Sequence, residues 1–277
     1  MPRTIRILTA SEVETLVGWA ADEGWNPGLG DAAALRAADP EGFIGAFLGG
    51  EMVAGISAAA YGSSYGFIGL YICRPERRGE GHGKAVWRAG MARLGNRIVG
   101  LDGVAEQRAN YQRMGFVPAY ETVRYSGRPA GLPGGGDIRP VTSADMAGML
   151  AYDRQCFAAP REAFLRGWLQ PPRIAIMSAG PGGITGYGVA RRCREGFKIG
   201  PLFADGVDLA VAMTAHLCAT TAGETLHIDV PASQAGFAAG LRAAGLVPGF
   251  ATTRMYKGGH PQLEASRVFG ITTLELG

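Results

Sequence analysis

Apolar and polar positions alternate and cluster in a pattern that divides the chain into short elements. An extended apolar run near residues 3–8 leads into an amphipathic stretch near 11–23, with a second helical stretch at 31–38. Three runs rich in apolar and β-branched residues follow at 43–48, 52–61 and 65–73. Helical periodicity returns over 82–95, a strand is predicted at 97–102, a helix at 106–114 and a last strand at 116–125. Strands run consecutively in the middle, with helices at either end and between the later strands. That order predicts an α+β fold with a mostly antiparallel twisted sheet flanked by helices.

The same pattern occurs twice. Ile5-Arg6, with Thr9 and Glu12, recurs about 130 residues later as Ile138-Arg139, with Thr142 and Asp145. Gly66-Phe67 recurs as Gly196-Phe197. Gly115-Phe116-Val117-Pro118, with Tyr120, Thr122 and Arg124, recurs as Gly245-Leu246-Val247-Pro248, with Phe250, Thr252 and Arg254. Matches in one order at nearly one offset predict two copies of one fold. Between them Gly127–Gly136 has no periodicity and is half glycine, so it is predicted as a linker. The predicted units are residues 1–126 and 137–277, and each is expected to fold independently.

Composition narrows the function classes. The 277 residues are 47% apolar and only 18% charged, with a net charge of +3, which leaves no basic footprint for nucleic acid. No apolar run is long enough to span a bilayer, and the start of the chain lacks a signal-peptide core, so the expected location is the cytoplasm. Cys73, Cys156, Cys193 and Cys218 form no CxxC pair, and His82, His216, His227 and His260 are scattered. No metal site is expected.

The most informative segment is Leu70 to Lys84. An apolar strand stops at Pro75, and a basic, glycine-rich turn opens a helix. Amides at a helix start are unpaired and carry the positive end of the helix dipole, and glycines let a ligand approach them. Such a turn is a phosphate cradle, and Arg77, Arg78 and Lys84 add charge. Walker A spacing fails: only three residues lie between Gly79 and Gly83, and Ala85 follows Lys84. The dinucleotide fingerprint G-x-G-x-x-G is absent at this turn.

Arg78-Gly79-Glu80-Gly81-His82-Gly83 instead resembles the Arg/Gln-x-x-Gly-x-Gly/Ala loop of the GNAT acetyltransferase superfamily. A second strand and helix, Gly100 to Met114 closed by Gly115-Phe116, carries Tyr111 four residues before that glycine, which is also similar to the family. The resemblance implies acetyl-CoA as cosubstrate, held by Ile72, Cys73, Arg78, Gly79, Glu80, Gly81, His82, Gly83 and Lys84 together with Asn110, Tyr111 and Arg113. It implies an N-acetyltransferase acting on a small-molecule or peptide amine, with strand amides near Ile72 and Cys73 stabilising the oxyanion and Tyr111 as general acid. The general base stays open among Asp22, Glu23 and Asp102, with Asp102 also a candidate helix cap. Trp25 and Asn26 are expected to line the amine site. A non-catalytic acyl-CoA-binding or regulatory module is the alternative, and monomer and homodimer remain equally open.

In the second copy no Arg-x-x-Gly-x-Gly is present, and Asp205 and Asp208 would repel a diphosphate. No phenol stands four residues before Gly245. Ile199–Asp205, Asp229–Pro231, Thr253–Tyr256 and Val268–Thr273 resemble bacterial tandem GNAT proteins with a degenerate C-terminal domain. The second half is therefore expected to keep the fold without the usual CoA site.

Overall fold

The structure is a computed structural model that describes residues 2–277. The first copy comprises β1 (Arg3–Ile7), α1 (Ala10–Asp22), α2 (Asp31–Ala38), β2 (Phe43–Leu48), β3 (Glu51–Tyr61), β4 (Tyr65–Cys73), α3 (His82–Leu94), β5 (Ile98–Gly103), α4 (Ala105–Arg113) and β6 (Val117–Gly127). The second comprises β7 (Ile138–Pro140), α5 (Met146–Cys156), α6 (Glu162–Trp168), β8 (Ile174–Gly180), β9 (Gly183–Arg192), β10 (Phe197–Ala204), α7 (Val207–Thr220), β11 (Leu226–Pro231), α8 (Ala235–Ala243) and β12 (Val247–Lys257). A short β13 (Val268–Gly270) follows and has no counterpart in the first copy.

Local chemistry accounts for the element ends. Thr9 and Glu12 form a reciprocal capping box at the start of α1, and Val13, Leu16, Val17 and Ala20 fall on one buried stripe at helical spacing. Gly115 follows α4 with φ +88°, a left-handed stop that suits glycine.

All thirteen strands join one sheet, ordered β1-β2-β3-β4-β5-β12-β6-β11-β10-β9-β8-β7, with β13 paired to β10. The order reads alike from both ends except at the centre, where the last strands have changed places. β12 of the second copy pairs with β5 of the first, and β6 of the first pairs with β11 of the second. Residues 1–126 are therefore a unit of sequence but not a closed unit in space. The partners of β6 are β11 and β12, both from the other copy.

One arginine locks each exchanged strand. Arg254 on β12 grips both oxygens of Asp102 on β5, at 2.8 Å each. Arg124 on β6 grips Asp229 on β11 at 2.7 and 3.0 Å. In both cases the paired residues are direct cross-strand neighbours and their side chains are buried. Forked guanidinium–carboxylate pairing satisfies charges that would otherwise be costly to bury.

The main apolar core also spans both copies. Leu16, Leu35 and Phe43 share it with Met149, Phe164 and Trp168, while α3 and α7–α8 cover two separate cores. The segment after β6 has no regular structure, but it is not free of the fold: Leu132 packs on the core under α7 and α8, and the Ala130 amide donates to the Ala244 carbonyl at 3.0 Å.

Candidate active site

The site forms where β4 and β5 separate. They pair in parallel from Tyr65–Ile98 to Ile68–Leu101, and pairing stops there. At that point β4 carries a bulge against β3, between Gly69 and Ile72, and Leu70 adopts φ +46°. Positive φ is sterically costly for leucine, and bulges re-aim a strand edge beside functional sites. The diverging strands leave a cleft of 390 Å³ with Ile68 to Cys73 on one wall and Leu101, Asp102, Val104, Gln107 and Tyr111 on the other.

The glycine loop closes one end of this cleft. Gly79 and Gly81 have φ +84° and +82°, and Gly81 is the N-cap of α3. A Cβ on Gly79 would meet no atom within 4 Å, and one on Gly81 would meet only the Arg3 guanidinium at 4.0 Å, so both glycines face open space. Among the described residues, the amides of Gly79, Glu80, Gly81, His82 and Lys84 donate to no protein acceptor, while that of Gly83 is directed at the Cys73 sulfur. Exposed Lys84 stands beside them. This donor set fits a diphosphate, and the parted strands beside it fit a slender arm such as pantetheine. His82 is buried, with Nε2 3.0 Å from Glu80 and Nδ1 unpartnered.

Tyr111 lines the cleft and stacks on Trp87 at 5.6 Å. Burial raises its phenol well above the ordinary range, so it keeps its proton at any working pH. Ile72 and Cys73 both line the cleft, on the stretch of β4 that β5 no longer covers. Cys73 is a raised-pKa thiol through burial, and its Sγ donates to the Arg77 carbonyl at 3.4 Å. Glu23 also lines the cleft, but its carboxylate pairs with Arg78, whose Nε donates to the Cys73 carbonyl at 3.1 Å.

Other expected site residues have protein partners of their own. Asp102 reaches the cleft, and each of its oxygens accepts a hydrogen bond from Arg254. It does not cap α4, because Val104 holds the N-cap position. Asn26 does not line the cleft. Its Nδ2 donates to the Glu195 carbonyl at 2.9 Å and its Oδ1 accepts the Glu195 amide at 3.2 Å, docking the turn after α1 onto the second copy. Asn110 and Arg113 hydrogen-bond to each other outside the cleft lining. Gln107, one helical turn before Tyr111 on the same face, takes the lining position instead.

Trp25 lines the cleft, and its carbonyl accepts from Arg124 at 3.0 Å and Lys198 at 2.9 Å. Besides Gln107 and its first-copy neighbours, the residues missed from sequence include three supplied by the other copy: Phe250 and Thr252 from β12, and Leu274 from the segment after β13. Phe250 and Thr252 had been visible only as repeats of Tyr120 and Thr122; nothing in the sequence signalled that their strand crosses over.

In the second copy the equivalent opening is filled. β10 and β11 pair from Phe197–Leu226 to Ile199–Ile228 and then part after a like bulge in β10. β13 enters the gap: it pairs with β10 at Leu202–Gly270 and Phe203–Val268, and the Ile271 amide donates to the Asp229 carbonyl at 3.0 Å. Eight residues separate β4 from α3, but only two separate β10 from α7, so the cradle loop is gone. Asp205, which precedes α7, accepts the Tyr152 hydroxyl at 2.9 Å and pairs with Arg267 at 3.3 Å. Among the described residues no His, Cys, Asp and Glu group could hold a metal, and no helix is long and apolar enough to cross a membrane.

Residues 8–116 match the acetyltransferase (GNAT) family, and residues 149–270 match an acetyltransferase (GNAT) domain. The chain is 33% identical over 267 residues to the holothin acyltransferase of Pseudoalteromonas sp. (strain SANK 73390), covering 94% of this chain and 89% of the relative. A solved structure from Pyrococcus horikoshii, assigned to the acetyltransferases, superposes with a TM-score of 0.82 at 21% identity, covering 99% of this chain and 96% of that one. A tandem GNAT protein from the clavulanic acid biosynthesis pathway superposes with a TM-score of 0.64 at 14% identity, covering 94% and 99%. With two such domains in one continuous sheet and one open strand-splay beside a glycine loop, the chain belongs to the GNAT acyltransferases, as a tandem member of that family.

Proposed function

We propose that the protein transfers an acetyl group from acetyl-CoA to a primary amine of a small molecule, in the cleft between β4 and β5. The observation that carries this reading is the junction of five free amides, those of Gly79, Glu80, Gly81, His82 and Lys84, with the parted strands. The amides and Lys84 hold the diphosphate, and the cleft walls at Ile72, Cys73 and Tyr111 hold the thioester end. The thioester supplies an activated carbonyl, whose oxyanion accepts from β4 amides on the edge that β5 has left.

An alkylammonium has a pKa of ~10.4, so the amine must lose a proton before it can attack. The Tyr111 phenol, kept neutral by burial, protonates the departing sulfur. Trp25, Phe250, Thr252 and Leu274 wall the remaining side and form the acceptor site, with Glu23 at its rim. The relative's name, holothin acyltransferase, favours a small-molecule acceptor over a peptide.

The test is thiol release from acetyl-CoA across a panel of small amines and peptides. Turnover on at least one small amine is expected, and Tyr111→Phe should lower kcat on it about 10²-fold with little change in KM for acetyl-CoA. Binding without turnover on any amine would favour an acyl-CoA-binding module instead. Undiminished kcat in Tyr111→Phe would remove the phenol from the mechanism.

A further inference from the structure

One wall of the cleft stands on a turn that belongs to no helix or strand. Between α1 and α2, residues 23–30 include Gly24 at φ +80° and Asn26 at φ +51°, with Gly28 and Gly30 beyond. A segment so rich in glycine samples many shapes unless contacts from outside select one. Trp25, which lines the cleft, lies within it.

The second copy supplies those contacts. Lys198 on β10 donates to the Trp25 carbonyl at 2.9 Å, and Asn26 exchanges two hydrogen bonds with the Glu195 main chain, at 2.9 and 3.2 Å. Gly28 forms an antiparallel bridge with Cys193, and the Leu29 amide donates to the Arg192 carbonyl at 2.9 Å. Arg173 donates to the Gly30 carbonyl at 2.7 Å, and Arg191 to the Asp31 carboxylate at 2.9 Å. Exposed Asp22, at the end of α1, pairs with Arg194 at 2.7 Å.

Most of these partners sit on one hairpin, the connection from β9 to β10. Its tip is itself fixed: the Glu195 carbonyl also accepts from Nε2 of buried His227 at 3.0 Å, and His227 Nδ1 stands 2.8 Å from the Ser126 hydroxyl. The corresponding turn in the second copy, residues 157–161, meets the first copy through Phe157, edge-on to Tyr61 and Tyr65. Its polar ties stay within its own copy: Arg161 grips Asp153 at 2.9 and 2.6 Å, and Arg154 donates to the Phe157 carbonyl at 3.0 Å. Polar docking onto the other copy thus goes with the turn that walls the open cleft.

We propose that Asn26 is a positioning residue for the acceptor: by docking its turn on the β9–β10 hairpin it fixes Trp25 in the cleft wall, so that the second copy sets how well the amine binds. This rests on the amine-acetylation reading above. A wall already held in place spares the incoming amine the entropy of ordering it, whereas a loose wall takes that cost from each binding event. The acetyl-CoA side of the cleft, on β4 and the glycine loop, lies on the first copy's own elements and does not depend on this docking.

The experiment uses the full chain with acetyl-CoA and the amine that gives thiol release in the panel. Asn26→Gly removes both hydrogen bonds to Glu195 and suits the positive φ, so it loosens the docking without adding backbone strain. It should raise KM for the amine about tenfold, with kcat and KM for acetyl-CoA within about twofold. Trp25→Ala should raise KM for the amine as well, and adding Asn26→Gly to it should change that KM by less than about twofold, because the wall that Asn26 positions is already gone. An unchanged KM for the amine in Asn26→Gly overturns the proposal. So does an undiminished rise in the Trp25→Ala background, or an equal rise in KM for acetyl-CoA, which a general loosening of the fold would give. If Asn26→Gly does not fold, Lys198→Met, which removes a different bond to the same turn, should show the same split between the two substrates, and its absence overturns the proposal instead. Absence of turnover in the wild type on every amine would remove the acetylation reading, and this inference with it.

Discussion

The two strand-splays differ in what occupies them. β4 and β5 part beyond Ile68 and leave an open cleft; β10 and β11 part beyond Ile199 and take in β13. The bulge that opens the gap is common to both copies, so opening is a property of the fold. Side chains one offset apart follow the difference. Gln107 and Tyr111 on α4 line the open cleft, whereas the corresponding Phe237 and Leu241 on α8 are buried in the core, with Phe237 edge-on to Phe269 of β13 at 5.4 Å. A gap in a sheet exposes main-chain groups that need partners. One copy leaves them for a ligand and the other satisfies them with its own chain.

The largest test of that contrast is to damage the filling strand. Phe269→Ala removes a buried ring and should destabilise the protein by about 3–5 kcal/mol in denaturant unfolding. Calorimetric titration should still find one acetyl-CoA per chain. Two sites in the variant would mean that β13 alone, and not the lost loop, keeps the second splay from binding.

Next in size is a matched pair at the two helix starts. At a concentration 100 times Kd, acetyl-CoA should stabilise the wild type by about 2.7 kcal/mol. Gly81→Asp puts a carboxylate among the free amides and a side chain at φ +82°, so that protection should vanish. Gly206→Asp, before α7, enters extended backbone and open space and should leave it intact. Thermal unfolding with and without acetyl-CoA reads both. Equal loss in the two variants would place ligand at both helix starts and erase the contrast.

Much of this was legible in the sequence wherever the signal was local. Pro75, Gly79 and Gly81 punctuate the cradle, Gly115 stops α4, and the strand expected at 65–73 is β4. What the sequence hid was non-local. The alternation along Val117–Gly127 suits either neighbour, so nothing in it declares that β6 lies beside β11. Arg124 and Arg254 repeat in sequence, but the carboxylates they seek lie in the opposite copies. For the same reason Asp102 looked like a free acid and Asn26 like a pocket residue: the groups that bind them, Arg254 and Glu195, are 152 and 169 residues away. Phe250, Thr252 and Leu274 reach the cleft only because the last strands exchange.

The smallest effect tests where the copies should not differ at all. Each begins with an arginine forked onto a carboxylate that also caps the next helical segment: Arg6 to Glu12 at 2.8 and 2.6 Å, and Arg139 to Asp145 at 2.8 and 2.6 Å. The carboxylates take the Thr9 and Thr142 amides, each at 2.8 Å. The arginine hydrogen bonds hold both carboxyls below their ordinary range, Glu12 at about 2. A carboxyl depressed in the folded state stabilises fully above its unfolded pKa and loses that contribution as pH falls through the folded one. Glu12→Gln and Asp145→Asn should each therefore cost ~1 kcal/mol at pH 7, with the deficit shrinking as pH falls from about 4 toward 2. Urea unfolding at both ends of that range measures it. Near-equal deficits would show that the two copies kept one helix-start chemistry while they diverged at their clefts, and a clearly larger loss in one copy would show divergence reaching the scaffold as well.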